Sequence, residues 1–482
     1  MTMQHSRRDF LGISALGLAA TIVPKDVVRQ TSGTVESGKE TPDVSAEISV
    51  WVTAGEDRFA AAPRAAWRSA QQTGAPQIQL DPSQKFQEIL GFGGAFTDAS
   101  CYTFNRLAPS AREQLFHEMF HPSEMGLNVC RTCIGSSDYS TKLYSFDDGP
   151  ADPDLTRFSI EHDREYILPV LRQARQANSD LFLFSSPWSP PGWMKFNGTM
   201  LGGSMRNHYF AVYANYMLKF LQGYAAAGVP VQAVTSQNEV DTDQDGRMPA
   251  CIWPQEYEIA FVRDHLGPLL ESSGLPTKIW ILDHNYNLWG RVTDELEDDK
   301  LRKYCNSIAW HGYVGTPDMM SRVHQAYPEV EMHWTEGGPD YTDPNYATDW
   351  CKWSETFVGV LRNWCGSITS WNLALDERGR PNIGPFSCGG LVTIDSRTKQ
   401  ISRSGQYWAF AHYSRVVRRG AHRFHSQNSA VDLQHVAFQN PDGQQVLVVT
   451  NPGPATTIEL RLANVAAPIS LKENSITTLA WR

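Results

Sequence analysis

Between about residues 85 and 410 one pattern recurs. A short apolar, often β-branched run is followed by a stretch of helical periodicity. Eight such runs centre on Ile89–Ala95, Leu127–Ile134, Leu181–Ser185, Val231–Ser236, Lys278–Leu282, Ser307–His311, Val330–Thr335 and Ser367–Asn372. Runs of this length and composition suit strands buried on both faces. Helical patterns such as Tyr209–Ala226, Pro254–Ser272 and Met319–Ala326 separate most of them. Eight strand–helix units predict an α/β fold, a (β/α)8 TIM barrel with insertions. An open doubly wound sheet is the alternative. It calls for a nucleotide-binding loop after its first strand, and Gly91-Phe92-Gly93-Gly94-Ala95 lacks the GxGxxG spacing.

The two ends of the chain follow a different period. Residues 46–61 alternate, as in Ile48-Ser49-Val50-Trp51-Val52-Thr53, and read as a strand. Val431–Phe438, Gln445–Thr450, Thr457–Leu462 and Ser475–Trp481 are further short strands, with Asn440-Pro441-Asp442-Gly443 as a turn. These ends predict one discontinuous antiparallel β-sandwich attached to the barrel. The resulting plan is a signal and linker over 1–44, first sandwich strands over 45–80, the barrel over 81–414 and the rest of the sandwich over 415–482.

Composition changes this picture in two places. The formal net charge of −10 disfavours nucleic acid, whose phosphates need a basic face. The 15 tryptophans, beside 17 tyrosines and 21 phenylalanines, offer rings for the C–H faces of sugars, although large cores also use many aromatics. Cys130-Arg131-Thr132-Cys133 is a CxxC, but no second pair follows and positions i and i+3 of a strand face opposite ways. The cysteines therefore read as small buried hydrophobes.

At the N-terminus, Ser6-Arg7-Arg8-Asp9-Phe10-Leu11 and the apolar run from Gly12 to Val23 resemble a twin-arginine export signal. This predicts a periplasmic or extracellular protein. The run is too short and too rich in Gly and Ala to span a membrane.

The candidate chemistry lies at the strand ends. Val231-Gln232-Ala233-Val234-Thr235-Ser236 runs into Gln237-Asn238-Glu239, and Val330-Glu331-Met332-His333-Trp334-Thr335 into Glu336. Other candidate strands end in Thr97-Asp98, Trp188, Asp283-His284-Asn285, His311 with Tyr313, and Trp371-Asn372. Polar and aromatic residues gathered at the C-terminal ends of buried strands are explained as the lining of a barrel pocket. Asp98 equally suits a helix cap, and Asp283 a solvated loop. Glu239 and Glu336 are 97 residues apart (336 − 239). At about 31 residues per strand–helix unit, three units take about 94, which puts them on strands four and seven. Two carboxylates facing one another across a barrel mouth suit retaining glycoside hydrolysis, with one as nucleophile and the other as acid, then base. His311 and Tyr313 are placed to orient the nucleophile.

Gly91-Phe92-Gly93-Gly94-Ala95-Phe96-Thr97-Asp98, Ser186-Pro187-Trp188-Ser189-Pro190-Pro191-Gly192-Trp193-Met194-Lys195, Gln237-Asn238-Glu239 and Trp371-Asn372-Leu373-Ala374-Leu375 resemble glycoside hydrolase family 30, most closely its glucosylceramidase branch. The resemblance runs from about residue 80 to the C-terminus. It implies a barrel with a side β-sandwich and retaining hydrolysis of β-glycosides, with Glu239 as acid/base and Glu336 as nucleophile. It also implies that Asp98, Trp188, Asn238 and Trp371 bind the sugar beside the scissile bond. Val240 stands where the family usually has Pro, and the acidic loop Asp241-Thr242-Asp243-Gln244-Asp245-Gly246 follows it. That loop lacks the terminal Glu of a calcium loop. The full expectation is a retaining, exo-acting β-glucosidase, glucosylceramidase-like, that cleaves terminal β-linked glucose with no metal and no cofactor. Its substrate is an oligosaccharide, a glucan or a glycolipid. An endo-β-1,6-glucanase or β-xylosidase on the same scaffold is the alternative, and a non-catalytic carbohydrate-binding protein a third reading.

Overall fold

The computed structural model describes residues 47–71, 74–429 and 432–482. The expected signal lies outside the described residues. Among those described, no helix is long and apolar enough to cross a membrane.

Eight strands close into a parallel barrel: β1 (Gly91–Phe96), β2 (Val129–Ile134), β3 (Phe182–Pro187), β4 (Ala233–Thr235), β5 (Lys278–Asn285), β6 (Ser307–His311), β7 (Glu331–Glu336) and β8 (Cys365–Ser370). β8 pairs back onto β1, Ser367 opposite Gly91, which excludes the open sheet. All eight expected strands are present, and β4 is the shortest. The barrel centre is filled by Val129, Phe184, Ala233, Trp280 and Ala309. Helices cover the outside, several of them through one apolar face. In Phe210–Ala226, Phe210, Tyr213, Met217, Phe220, Leu221 and Tyr224 recur at helical spacing and are buried. Cys130 packs in the outer layer under the helices while Cys133 packs beside Trp188 and Trp371. That is the opposite-face placement expected of positions i and i+3 in a strand. All eight cysteines are buried and unbonded to one another.

The two chain ends do form one domain. Glu47–Ala54 pairs antiparallel with Ser475–Trp481, Trp51 opposite Thr478. Ten strands hydrogen-bond in one ribbon around a core that includes Ile48, Val50, Ile78, Leu447, Leu460 and Leu479. Three expectations need correction. Residues 46–61 form a hairpin, not one strand, because Gly55 adopts φ 55° and turns the chain between Glu47–Ala54 and Asp57–Ala66. The boundary at residue 81 falls inside a sandwich strand, Gln77–Ile89, which pairs with Ala421–Asn428. Ala421–Asn428 and Val465–Leu471 are further strands not anticipated. The first of these is polar (His422, Arg423, His425, Ser426, Gln427) and carries no apolar alternation. The sandwich is seated on the barrel helix Trp350–Arg362, where Ser354 Oγ meets Thr450 Oγ1 at 2.6 Å and Trp350 Nε1 donates to Asn474 O at 2.9 Å.

Candidate active site

Two irregularities in the barrel ladder aim the site. Between β5 and β6 the register passes from Leu282–Ala309 to His284–Trp310, leaving Asp283 as an extra residue. Between β6 and β7 it passes from Trp334–Trp310 to Glu336–His311, leaving Thr335 extra. Such bulges bend a strand and redirect its side chains. Leu282, Asp283, Glu239 and Asn372 all have positive φ, 73°, 47°, 53° and 53°. Strained backbone of this kind costs about 1–3 kcal/mol per residue and persists where the surroundings impose it.

The centre of the arrangement is His311, fully buried at the end of β6. Its Nδ1 lies 3.3 Å from Glu239 Oε1, and its Nε2 lies 3.0 Å from Asp283 Oδ1 and 3.8 Å from Glu336 Oε2. The two expected carboxylates thus flank opposite nitrogens of one imidazole. Burial opposes charge on this ring. Glu336, Asp283 and Glu239 outweigh it and raise the imidazole to about 9.

Glu336 accepts from Tyr313 OH at 2.9 Å on Oε1 and from Arg131 Nη1 at 2.6 Å on Oε2. Both oxygens are therefore aimed by charged or phenolic donors. Glu239 accepts from Gln244 Nε2 at 2.8 Å on Oε2. Asn238 Oδ1 accepts from Arg131 Nη2 at 2.8 Å, which fixes the amide plane and leaves its NH2 as the remaining donor. Trp188 and Trp371 stack with centroids 5.0 Å apart and lie over the Arg131 guanidinium at 4.6 and 5.7 Å. Asn372 Oδ1 accepts from Thr97 Oγ1 at 2.9 Å. The Asn372 amide nitrogen and Trp371 Nε1 are buried donors with no partner among the described residues.

Asp98 does not cap its helix, since Thr97 does so by accepting from Ser100 N. Its carboxylate instead accepts from Thr141 N at 2.7 Å, His162 Nε2 at 2.5 Å and Tyr166 OH at 2.8 Å. Asp283 is neither a loop charge nor a wall open to substrate. It is wholly buried, and Arg131, Ser186, Thr235, Thr335 and His311 occupy its two oxygens. Burial pushes its carboxyl upward, but Arg131 and His311 hold it far below the ordinary carboxylate range.

Two residues of the site, Arg131 and Gln244, were not anticipated. Arg131 reaches Glu336, Asp283 and Asn238 from β2. The signal for it was present: an arginine inside a buried strand needs carboxylate partners. Gln244, in the acidic loop after β4, has no comparable signal. His284, beside Asp283, is paired with Asp241.

A cleft of about 350 Å³ opens beyond Glu239 and is lined by Asp241, Thr242, Gln244, His284, Asn285, Asn287, Tyr313, Val314 and Phe386. Phe386 reaches it from the segment after β8, where Tyr139 OH donates to its carbonyl at 3.0 Å.

A parallel barrel that brings carboxylates from after its fourth strand and from its seventh to one enclosed centre suits the two-carboxylate chemistry of a glycoside hydrolase. The particular family follows from comparison. The model of the glycosyl hydrolase family 30 TIM-barrel domain matches residues 89–417, and that of the family 30 β-sandwich domain matches 420–479. The chain belongs to glycosyl hydrolase family 30. It is 32% identical over 394 residues to an endo-1,6-β-D-glucanase of Neurospora crassa, covering 78% of this chain and 81% of the relative. It is 30% identical over 397 residues to the lysosomal acid glucosylceramidase of Mus musculus, covering 78% and 77%. Among solved structures, SrfJ from Salmonella typhimurium superposes with a TM-score of 0.87 at 27% identity, over 90% of this chain and 99% of that one.

Proposed function

We propose that the chain cleaves β-glucosidic bonds whose leaving group is another sugar, with Glu336 as nucleophile and Glu239 as acid and then base. The observation that carries the roles is the placement of these two carboxylates on opposite nitrogens of His311, with different partners. Glu336 is oriented by Arg131 and Tyr313, which suits an oxygen that must attack the anomeric carbon along one line. Glu239 lines the cleft that opens beyond the centre, the side assigned here to the leaving group. Attack by Glu336 breaks the glycosidic bond as Glu239 gives its proton to the departing oxygen. Glu239 then takes a proton from water, which displaces Glu336 with overall retention. Asn238, Asp98, Trp188 and Trp371 surround the sugar that is transferred.

The polarity of the cleft supports a sugar leaving group. Asp241, Thr242, Gln244, His284, Asn285 and Asn287 make the cleft wall polar, which suits sugar hydroxyls better than an alkyl chain. The glucanase relative agrees with this reading. The glucosylceramidase reading stands second, on the mouse relative and on Phe386 and Val314 in the same cleft. Comparing kcat/KM for β-1,6-linked gluco-oligosaccharides and for detergent-dispersed glucosylceramide separates them. The oligosaccharide is expected to win by about a hundredfold or more, and a preference for the lipid would reverse the assignment. Export is proposed from Arg7 and Arg8. Arg7→Lys with Arg8→Lys is expected to strand folded enzyme in the cytoplasm, and normal export of that variant would end the twin-arginine reading.

A further inference from the structure

His284 is 5% exposed, and its Nδ1 has no hydrogen-bond partner among the described residues. The nearest charge to that nitrogen is Glu239 Oε1, at 3.9 Å. Its other nitrogen, Nε2, is paired with the Asp241 carboxylate. His311 repeats the arrangement. Its Nε2 is on Asp283 Oδ1, and its Nδ1 is 3.3 Å from the same Glu239 oxygen. Two imidazoles are thus each backed by a carboxylate on the far nitrogen, and both near nitrogens lie within 3.9 Å of one glutamate oxygen. All three atoms lie within 4.8 Å of one another.

This is the environment a metal-binding histidine ordinarily has. The carboxylate behind it fixes the tautomer, orients the ring and raises the basicity of the nitrogen in front. Two histidines and one glutamate are a donor set suited to zinc, with a fourth position left for water. In a tetrahedral site with bonds of about 2.0–2.1 Å, ligand atoms lie about 3.3–3.4 Å apart. One pair here is already at 3.3 Å, and the second, at 3.9 Å, closes by a small rotation of the His284 ring. Charge favours the same outcome, because four carboxylates, Glu239, Asp241, Asp283 and Glu336, contact these two rings.

We propose that Glu239 Oε1, His284 Nδ1 and His311 Nδ1 form an inhibitory site for a first-row divalent cation of the zinc class, the ion releasing to solvent the proton that His311 Nδ1 otherwise holds against Glu239. Hydrolysis needs no ion. A bound ion occupies Glu239, which can then neither give nor take a proton, and it blocks the side of the centre where the leaving group departs. The two imidazole nitrogens favour zinc, cobalt or copper over calcium or magnesium, which prefer all-oxygen shells. Asp241 is a positioning residue, acting through His284.

The test titrates the full-length enzyme with Zn²⁺ by calorimetry and with Co²⁺ by visible absorption, alongside turnover of an aryl β-glucoside. One Zn²⁺ per chain is expected, with inhibition that chelator reverses and a Co²⁺ spectrum of tetrahedral intensity. His284→Ala is expected to weaken Zn²⁺ binding at least about a hundredfold, and Asp241→Asn by about ten- to a hundredfold. Circular dichroism reports whether each variant folds, and Asp241→Asn keeps the test decisive if His284→Ala does not. Zn²⁺ binding of equal strength in native enzyme and a folded variant overturns the proposal. So does a native enzyme that binds no stoichiometric ion below about 100 µM, or an octahedral Co²⁺ spectrum. Calorimetry and the Co²⁺ spectrum are independent of turnover, so failure of the hydrolytic reading and failure of the metal site are told apart.

Discussion

Replacing Arg131 probes the site more sharply than replacing any residue that borders the cleft. Its guanidinium is fully buried and holds Glu336 at 2.6 Å, Asp283 at 2.5 Å, Asn238 at 2.8 Å and Ser186 at 3.1 Å. Arg131→Met leaves two buried carboxylates facing a thioether. Removing one partner of a buried pair costs about 3–5 kcal/mol, because the other charge stays desolvated. Removing one preorganised charged donor from a catalytic centre costs about 10²–10³ in kcat. Arg131→Lys keeps the charge, but one ammonium cannot reach Glu336, Asp283 and Asn238 with the fork geometry of a guanidinium. We expect it to lose about 1–2 kcal/mol of stability and about tenfold or more in kcat/KM. The assay pairs urea unfolding with kcat/KM for an activated aryl β-glucoside at fixed pH. A lysine variant within threefold of native kcat/KM and unchanged in stability would refute the claim that Arg131 positions the nucleophile.

Glu239→Gln is expected to lose about 10²–10⁴ in kcat/KM on an alkyl β-glucoside, whose departure needs a proton, and much less on a dinitrophenyl glucoside. Azide should restore turnover of that variant with a β-glycosyl azide as product, whereas an α-azide would mean that the roles of Glu239 and Glu336 are exchanged. His311 makes stability depend on pH. Its folded value of about 9 lies above the ordinary 6.5, so the stabilisation is complete below about pH 6.5 and is lost as pH rises through about 9. The difference in unfolding free energy between native enzyme and His311→Gln should shrink by on the order of 3 kcal/mol between pH 6 and 10. A difference independent of pH would show that the ring is not held protonated.

Much of this was legible because the barrel repeats one physical unit. Apolar runs that must bury both faces, each followed by a helix, mark the eight strands, and ionisable residues at their C-terminal ends stand out against that background. Glu239 and Glu336 were found for this reason. What was not legible depended on two-residue details. The strand Asp57–Ala66 was hidden because the turn at Gly55 interrupts no apolar pattern. Asp283 looked like a loop charge because the bulge that turns it inward is visible only in the pairing of β5 with β6. Arg131 lies between the two cysteines of a CxxC, and its role shows only through its buried partners Glu336, Asp283 and Asn238. Gln244 reaches Glu239 from an acidic loop whose course no periodicity predicts.

The central claim is that a sugar becomes covalently attached to Glu336. An activated 2-deoxy-2-fluoro-β-glucoside slows the second step and traps that intermediate. After digestion, mass spectrometry locates the added fluoroglucosyl group. The account predicts one label per chain, on the peptide containing Glu336, with none on Glu336→Gln. A label on Glu239, or turnover with inversion and no covalent adduct, would contradict it.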